Sequence, residues 1–368
     1  MTDGLPPWLP EGRIFIAQLA SGIIDYHQQV STAGPFRLPY PANLQAALDK
    51  LTLLAWHQDV PAPSGVVELL QWAEVPFGDW KVSFVDVDVD PDEALLSYGR
   101  PTATCEELGS LRGDVEGEVR ENALIASVMD KTRAANMPES YVAFRRLLIE
   151  QPSITALDLD EQLARPTLAV VAAQVREAYV EAPLEAITDG VVRTCGGCHG
   201  LRLPLDDART WTCVDAGCPD PHTPGPDFAA AEGVWWLRRE LRTFVVAPGR
   251  AELRIATAIG TMGVEVRLWP DFDACDLSVF ESLPWAVDVK AWRSPVRLAQ
   301  RLRQRPFRPP AGADRAYIVI AKEQVKAQPR YIERLRAACP ELRPGQPVVA
   351  VSEQDFLQAV SRRKEGQA

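Results

Sequence analysis

Trp285-Ala-Val-Asp-Val-Lys-Ala-Trp292 constrains the fold of this chain through a strict alternation of apolar and charged residues. Val287 and Val289 alternate with Asp288 and Lys290, the period of a strand, whose successive side chains point to opposite faces. The spacing predicts that the Asp288 carboxylate and the Lys290 ammonium share one face while Val289 enters the opposite layer. Glu281-Ser-Leu-Pro284 reads as a turn and Leu277-Ser-Val-Phe280 as a neighbouring strand. A short return would bring Asp276, at the head of that strand, beside Asp288. Two carboxylates so placed are tolerated around a cation, and hard oxygen ligands favour Mg²⁺ or Mn²⁺. Such an ion would polarise a scissile phosphate and lower the pKa of a bound water, with Lys290 orienting that water or offsetting developing charge. The chemistry predicted is phosphodiester hydrolysis. A DxK triplet also occurs on ordinary solvated strands, so its surroundings matter.

Those surroundings have an order. Gly233–Val245 has helical spacing, Leu253–Leu268 can supply a first strand, Pro295–Arg303 reads as a second helix and Arg315–Ala321 as a buried strand. Pro347–Val351 can add a strand and Glu353–Arg362 a closing helix. An Asp followed by DxK on two strands, in this order, resembles the PD-(D/E)xK nuclease superfamily, whose core is a helix, a three-stranded meander, a second helix and a further strand. Many members carry a metal-binding Glu on the first helix, and the resemblance assigns that place to Glu240. A salt-bridged helix surface with Arg238, Arg239 and Arg242 is the alternative. The literal Pro-Asp pair is Pro270-Asp271, but Asp271 and Asp273 precede a loop whereas Asp276 abuts the strand. Asp276 is therefore the expected first acid.

Cys195-Gly-Gly-Cys198 and Cys213-Val-Asp-Ala-Gly-Cys218 form two close pairs fourteen residues apart. Each can make a knuckle, with Gly196, Gly197 and Gly217 in the turns, and four thiolates suit tetrahedral Zn²⁺ in a structural role. Cys195 to His199 also matches the CxxCH pattern of haem attachment, which requires export. The N-terminal residues lack a basic leader region, and the apolar stretch Ile14–Ile24 is short and interrupted by Gln18 and Ser21, so a cytoplasmic location is expected. That location also argues against disulfides. His199 and His222 are possible substitute ligands or solvated loop residues, while Cys105, Cys275 and Cys339 read as small buried side chains.

The net charge of −11 at first argues against nucleic acid, but its distribution matters more. Residues 1–194 carry −15 and residues 195–368 carry +4. Arg297, Arg301, Arg303, Arg305 and Arg308 cluster just after the proposed catalytic strand, where DNA backbone phosphates would lie; a solvated helix face is the alternative. The acidic half reads as mainly helical, with apolar residues at helical spacing in Leu44–Trp56, Val66–Trp72, Ala123–Val128, Tyr141–Ile149 and Leu168–Val180. Its charge suits a basic protein partner, or solubility alone. Val85–Asp92, with carboxylates at alternate positions, fails the EF-hand pattern for want of the central Gly and terminal Glu, and reads as a strand running into an acidic turn. His27 and His57 have no neighbouring ligand, and no stretch is long enough to span a membrane.

The fold class expected is α+β, with a helical region over 1–190, a zinc ribbon over 191–225 and a nuclease domain over 226–368. From about Leu163 onward the chain resembles a narrower family. The likeness rests on Ala164 to Tyr179, the Cys195/Cys198 and Cys213/Cys218 ribbon, and the terminal segment with Asp276, Asp288 and Lys290. That family is the restriction-endonuclease-like protein encoded beside pPIWI-RE, an Argonaute-like protein, and a DinG-type helicase in bacterial defence islands. The resemblance implies a DNA-directed nuclease acting with both partners against invading nucleic acid. Many nucleases of this core cut duplexes as homodimers. A zinc-ribbon DNA-binding or scaffold subunit with a silent nuclease fold is the competing function.

Overall fold

The apolar residues of Ile14–Ile24 lie within a 22-residue helix, Gly12–Ala33, with Phe15, Ile16, Leu19, Ile23 and Ile24 buried against Ala42–His57 and Ala103–Arg112. A Cβ on Gly22 would lie 2.4 Å from Leu44 N, so only glycine permits this approach of the two helices. The computed structural model describes every residue except 1–11, 34–37, 85, 86, 88, 113–115, 205–209, 216 and 368. The N-terminal leader reading and most of the Val85–Asp88 strand therefore lie outside the described residues. The acidic turn that follows is present, with Glu93 N donating to Asp90 O at 2.9 Å.

The chain divides into two compact units, Met1–Val119 and Arg120–Ala368. The first is the helical cluster just described, with the helix Val66–Glu74 and a two-stranded ribbon, Leu96–Ser97 with Arg100–Pro101. Its core is aliphatic helix faces with Leu51, Leu69 and Cys105 at the centre.

The second unit begins with helices ending at Ala134 and Glu150, the latter Pro138–Glu150. Leu168–Val180 is not one helix. It forms Pro166–Ala169 and Ala172–Ala178, then the strand Tyr179–Glu181. That strand and Ser153–Thr155 flank Val234–Leu237 in an antiparallel sheet, with Trp235 opposite Ile154 and Trp236 opposite Val180. The helical expectation for Gly233–Val245 therefore fails over its first half. Val-Trp-Trp-Leu suits a strand as well as a helix, and the deciding partners lie far away in sequence.

Helical backbone starts at Arg239, makes a π turn over Arg242–Val246 and continues as Ala247–Thr261. Pro248 supplies the cause, because it has no N–H to donate and its ring displaces the carbonyl one turn back. Ala251, Ile255 and Ile259 bury at four-residue spacing, so the helix runs to Thr261 and the first strand expected within Leu253–Leu268 lies at the end of that span. Only Val266–Leu268 pairs as a strand.

The C-terminal sheet has five strands in sequential order: Val266–Leu268, Leu277–Val279, Trp285–Lys290, Arg315–Ile320 and Val348–Ser352. The first three form an antiparallel meander, and the last two add in parallel. Pro295–Gln304 is the first crossover helix, capped by Ser294 Oγ. The second crossover contains Lys322–Ala327 and Tyr331–Ala338. One face of the sheet buries Val287, Val289, Tyr317 and Val319 with Ile255 and Ile259 of the Ala247–Thr261 helix and Phe356 of the closing helix Glu353–Gln367. The other packs Ile318 and Ile320 on Leu298, Leu302 and Leu335. The α+β class follows.

Candidate active site

Strand alternation puts Val289 in the core, 1% exposed, and leaves Asp288 and Lys290 on the opposite face, both partly accessible. Lys290 Nζ donates to Asp288 Oδ1 at 2.5 Å. Asp276 precedes the adjacent strand, and its Oδ2 accepts the backbone N–H of Val289 at 2.6 Å, while Asp276 N donates to Val287 O at 2.9 Å. The meander thus brings Asp276, Asp288 and Lys290 into one electrostatic group. Burial, then the charges of Glu252 and Asp288, hold Asp276 well above the ordinary carboxylate range. Burial alone would lower the Lys290 ammonium, but Asp288 and Asp276 outweigh it and raise its pKa.

Glu240 is not in this group. It sits at the start of the helical stretch, twelve residues before Glu252, which is about 18 Å along a helix axis at about 1.5 Å per residue. The helical acid facing Asp276 is Glu252, 2% exposed, with burial raising its pKa against the pull of Arg145 and Trp269. Its Oε2 accepts Trp269 Nε1 at 2.5 Å and Arg145 Nη2 at 3.4 Å. Arg145 Nη1 also donates to Asp273 Oδ2 at 2.8 Å. Asp271 is exposed.

Glu252, Asp273, Asp276 and Asp288, set against Arg145 and Lys290, leave a formal charge of −2 when all are ionised. One divalent ion balances that charge, and Mg²⁺ needs only one or two protein carboxylates beside water and substrate phosphate. The donor set therefore fits a hard divalent cation. Among the described residues no three carboxylates approach within 4.8 Å of one another; only the four cysteines do so.

Those cysteines are free thiols. Cys195 Sγ lies 3.6 Å from Cys218 Sγ, and Cys198 Sγ lies 3.2 Å from Cys213 Sγ. A tetrahedral site with bonds of about 2.3 Å would separate its sulfurs by about 3.8 Å. The neighbouring Cys195 sulfur pushes up the Cys198 and Cys213 thiols, and burial adds to it. A cation removes that conflict. His199 and His222 are exposed and outside the cluster. Asp215, between the second pair, takes Arg242 Nε on Oδ1 at 2.7 Å, so the cluster is tied to the π turn leading to Glu252. The four cysteines form a group able to hold a metal such as zinc.

Of the arginines, Arg297 is 2% exposed and does not present its guanidinium at the surface. Arg301 is partly buried, and Arg303, Arg305 and Arg308 are exposed. Arg303 donates to Ala338 O at 2.6 Å. Sequence reasoning missed Glu252, for which the four-residue spacing of Ala251, Ile255 and Ile259 was the available signal; Arg145 and Trp269 carry no local signal.

A meander followed by two parallel crossover strands, with Asp276 bonded to the middle of Asp288-Val-Lys290, is the arrangement of a restriction-endonuclease-like domain. Residues 249–368 match the family model described as REase associating with pPIWI_RE, and residues 15–155 match that described as pPIWI_RE three-gene island domain Y. Both matched segments are thus similar to proteins of pPIWI_RE islands, the C-terminal one to their restriction-endonuclease-like component. No curated protein and no solved structure matches it.

Proposed function

We propose that this protein is a divalent-metal-dependent nuclease that hydrolyses DNA phosphodiester bonds within a bacterial defence system. The observation that carries the reading is the grouping of Asp276, Asp288 and Lys290 with Glu252 in a restriction-endonuclease-like domain. Asp276 and Asp288 would hold Mg²⁺ or Mn²⁺, with Glu252 in the place the family resemblance assigned to Glu240. The ion would supply charge neutralisation at the scissile phosphate. Lys290, kept protonated by its acidic neighbours, donates to the attacking water or to a phosphate oxygen. Val289, buried behind the pair, fixes the strand that aims both side chains.

Arg301, Arg303, Arg305 and Arg308 would meet backbone phosphates. The cysteine cluster would hold structural Zn²⁺, since four thiolates leave no open position for a substrate. The family descriptions support a pPIWI-RE Argonaute-like partner; a DinG-type helicase and a homodimer that cuts both strands complete the proposal, in the cytoplasm. No helix among the described residues is long and apolar enough to cross a membrane.

The test is incubation of the purified protein with plasmid and single-stranded DNA in Mg²⁺ or Mn²⁺, beside Asp288→Ala and Lys290→Ala. Cleavage by the wild type alone is expected. Equal cleavage by wild type and variants would sink the assignment. The hydrogen bond from Lys290 to Asp288 favours one second reading, a silent scaffold in which Lys290 occupies the Asp288 carboxylate. Absence of cleavage and of Mn²⁺ binding, with the partners present, selects it.

A further inference from the structure

Arg145 lies 107 residues before Glu252, on the helix Pro138–Glu150, outside the segment 249–368. It is 6% exposed, yet it bonds three parts of the candidate active site. Nη2 reaches Glu252, Nη1 reaches Asp273, and the guanidinium lies 4.9 Å from the Trp269 ring centroid. The Trp269 indole is buried with Tyr141 and Phe144 from the Arg145 helix, and its Nε1 is the second donor to Glu252 Oε2. Gly249 lets the two helices close: a Cβ there would lie 2.4 Å from Ile149 Cδ1.

The turn held by these bonds is strained. Trp269, Asp271, Phe272 and Asp273 all have left-handed backbone, with φ of 46°, 50°, 60° and 73°. Left-handed backbone is unfavourable for a side-chain-bearing residue, and it persists where surrounding structure over-determines it. Desolvating an arginine and two carboxylates offsets much of what their attraction contributes, so fold stability is a poor account of the arrangement.

We propose that Arg145 is a positioning residue for the metal-binding carboxylates: with Trp269 it pins Glu252 Oε2, directing Oε1 toward the cation held by Asp276 and Asp288. The last helix of the segment matching domain Y would thereby complete a site whose acids all lie in the restriction-endonuclease-like segment. The proposal rests on the metal-dependent reading above. Outer contacts of this kind typically set metal affinity by roughly 10–100-fold.

The experiment is Mn²⁺ binding by the full chain, read by electron paramagnetic resonance, in a double-mutant cycle of Arg145→Lys and Glu252→Gln. Lysine keeps the charge but cannot bridge Glu252 and Asp273. Arg145→Lys is expected to weaken Mn²⁺ binding by roughly 10–100-fold in protein that still melts cooperatively, and to weaken it no further once Glu252 is Gln. Unchanged binding in Arg145→Lys, or independent losses that multiply, overturns the proposal. If Arg145→Lys does not fold, Asp273→Asn, which loosens the same guanidinium, gives the same readout. Absence of Mn²⁺ binding in the wild type would instead overturn the metal-dependent reading itself; binding abolished by Asp288→Ala but untouched by either Arg145→Lys or Asp273→Asn would overturn only the role of Arg145.

Discussion

The backbone N–H of Val289 donates to Asp276 Oδ2 at 2.6 Å. Val289 is the middle residue of the Asp-Val-Lys triplet, so one bond locks the first acid to the strand that carries the other two groups. The contact ties geometry to chemistry: Asp276 can present its remaining oxygen only while the meander keeps its register.

Asp276→Asn and Asp276→Ala should therefore separate. Asparagine retains an oxygen for the Val289 N–H, so its melting temperature should stay near wild type while Mn²⁺ binding and cleavage fall. Alanine should also lose about 1–2 kcal/mol from an unpaired, partly buried N–H. Calorimetry on the two variants measures the difference, and equal melting temperatures would remove the bond from the account.

The two candidate helix acids are distinguishable. Glu252→Gln should reduce cleavage by on the order of 100-fold or more, the scale of a lost electrostatic contact in an active site. Glu240→Gln should cleave DNA at the wild-type rate per folded molecule. Single-turnover kinetics at saturating Mn²⁺ make the comparison.

For the cysteine cluster, elemental analysis should find one zinc per chain, reduced in Cys213→Ser. Asp215→Ala should cost about 3 kcal/mol, because it leaves the buried Arg242 guanidinium without its carboxylate. Arg242 also packs 3.8 Å over Trp236 and donates to Leu237 O, so the damage should reach the sheet of Val234–Leu237. Hydrogen exchange in that strand reports it.

Glu353 starts the closing helix and accepts two bonds from Arg254, at 2.9 and 2.7 Å, and one from Lys322 N at 3.0 Å. Burial pushes its pKa up, but the Arg254 and Lys322 bonds prevail and hold it below the usual glutamate value. A folded pKa depressed in this way contributes stability above the unfolded pKa and loses it as pH falls through the folded value. Glu353→Gln should therefore destabilise by about 2 kcal/mol near neutrality. The gap to wild type should close below about pH 4.5, the ordinary glutamate value. Denaturant titrations across that range test it, and a gap that widens on acidification would contradict the assignment.

What local sequence could determine, it determined well. Asp288 and Lys290 share a face because a strand has period two, and no distant contact can change that alternation once the strand forms. The strands at Leu277–Val279 and Arg315–Ile320, the helix Pro295–Gln304 and the convergence of Cys195, Cys198, Cys213 and Cys218 follow from similarly local patterns. Val234–Leu237 was illegible because its strand state depends on Ser153–Thr155 and Tyr179–Glu181. Glu252 was obscured by one misplaced helix boundary, an error that shifts the candidate acid by about 18 Å. Arg145 was beyond any local reading. Its role depends on a helix docking at Gly249 and on Trp269 entering a core that it shares with Tyr141 and Phe144, more than a hundred positions earlier. Periodicity specifies which side chains share a face; only tertiary packing selects the buried charges that meet across elements, because their partners have no fixed spacing in the chain.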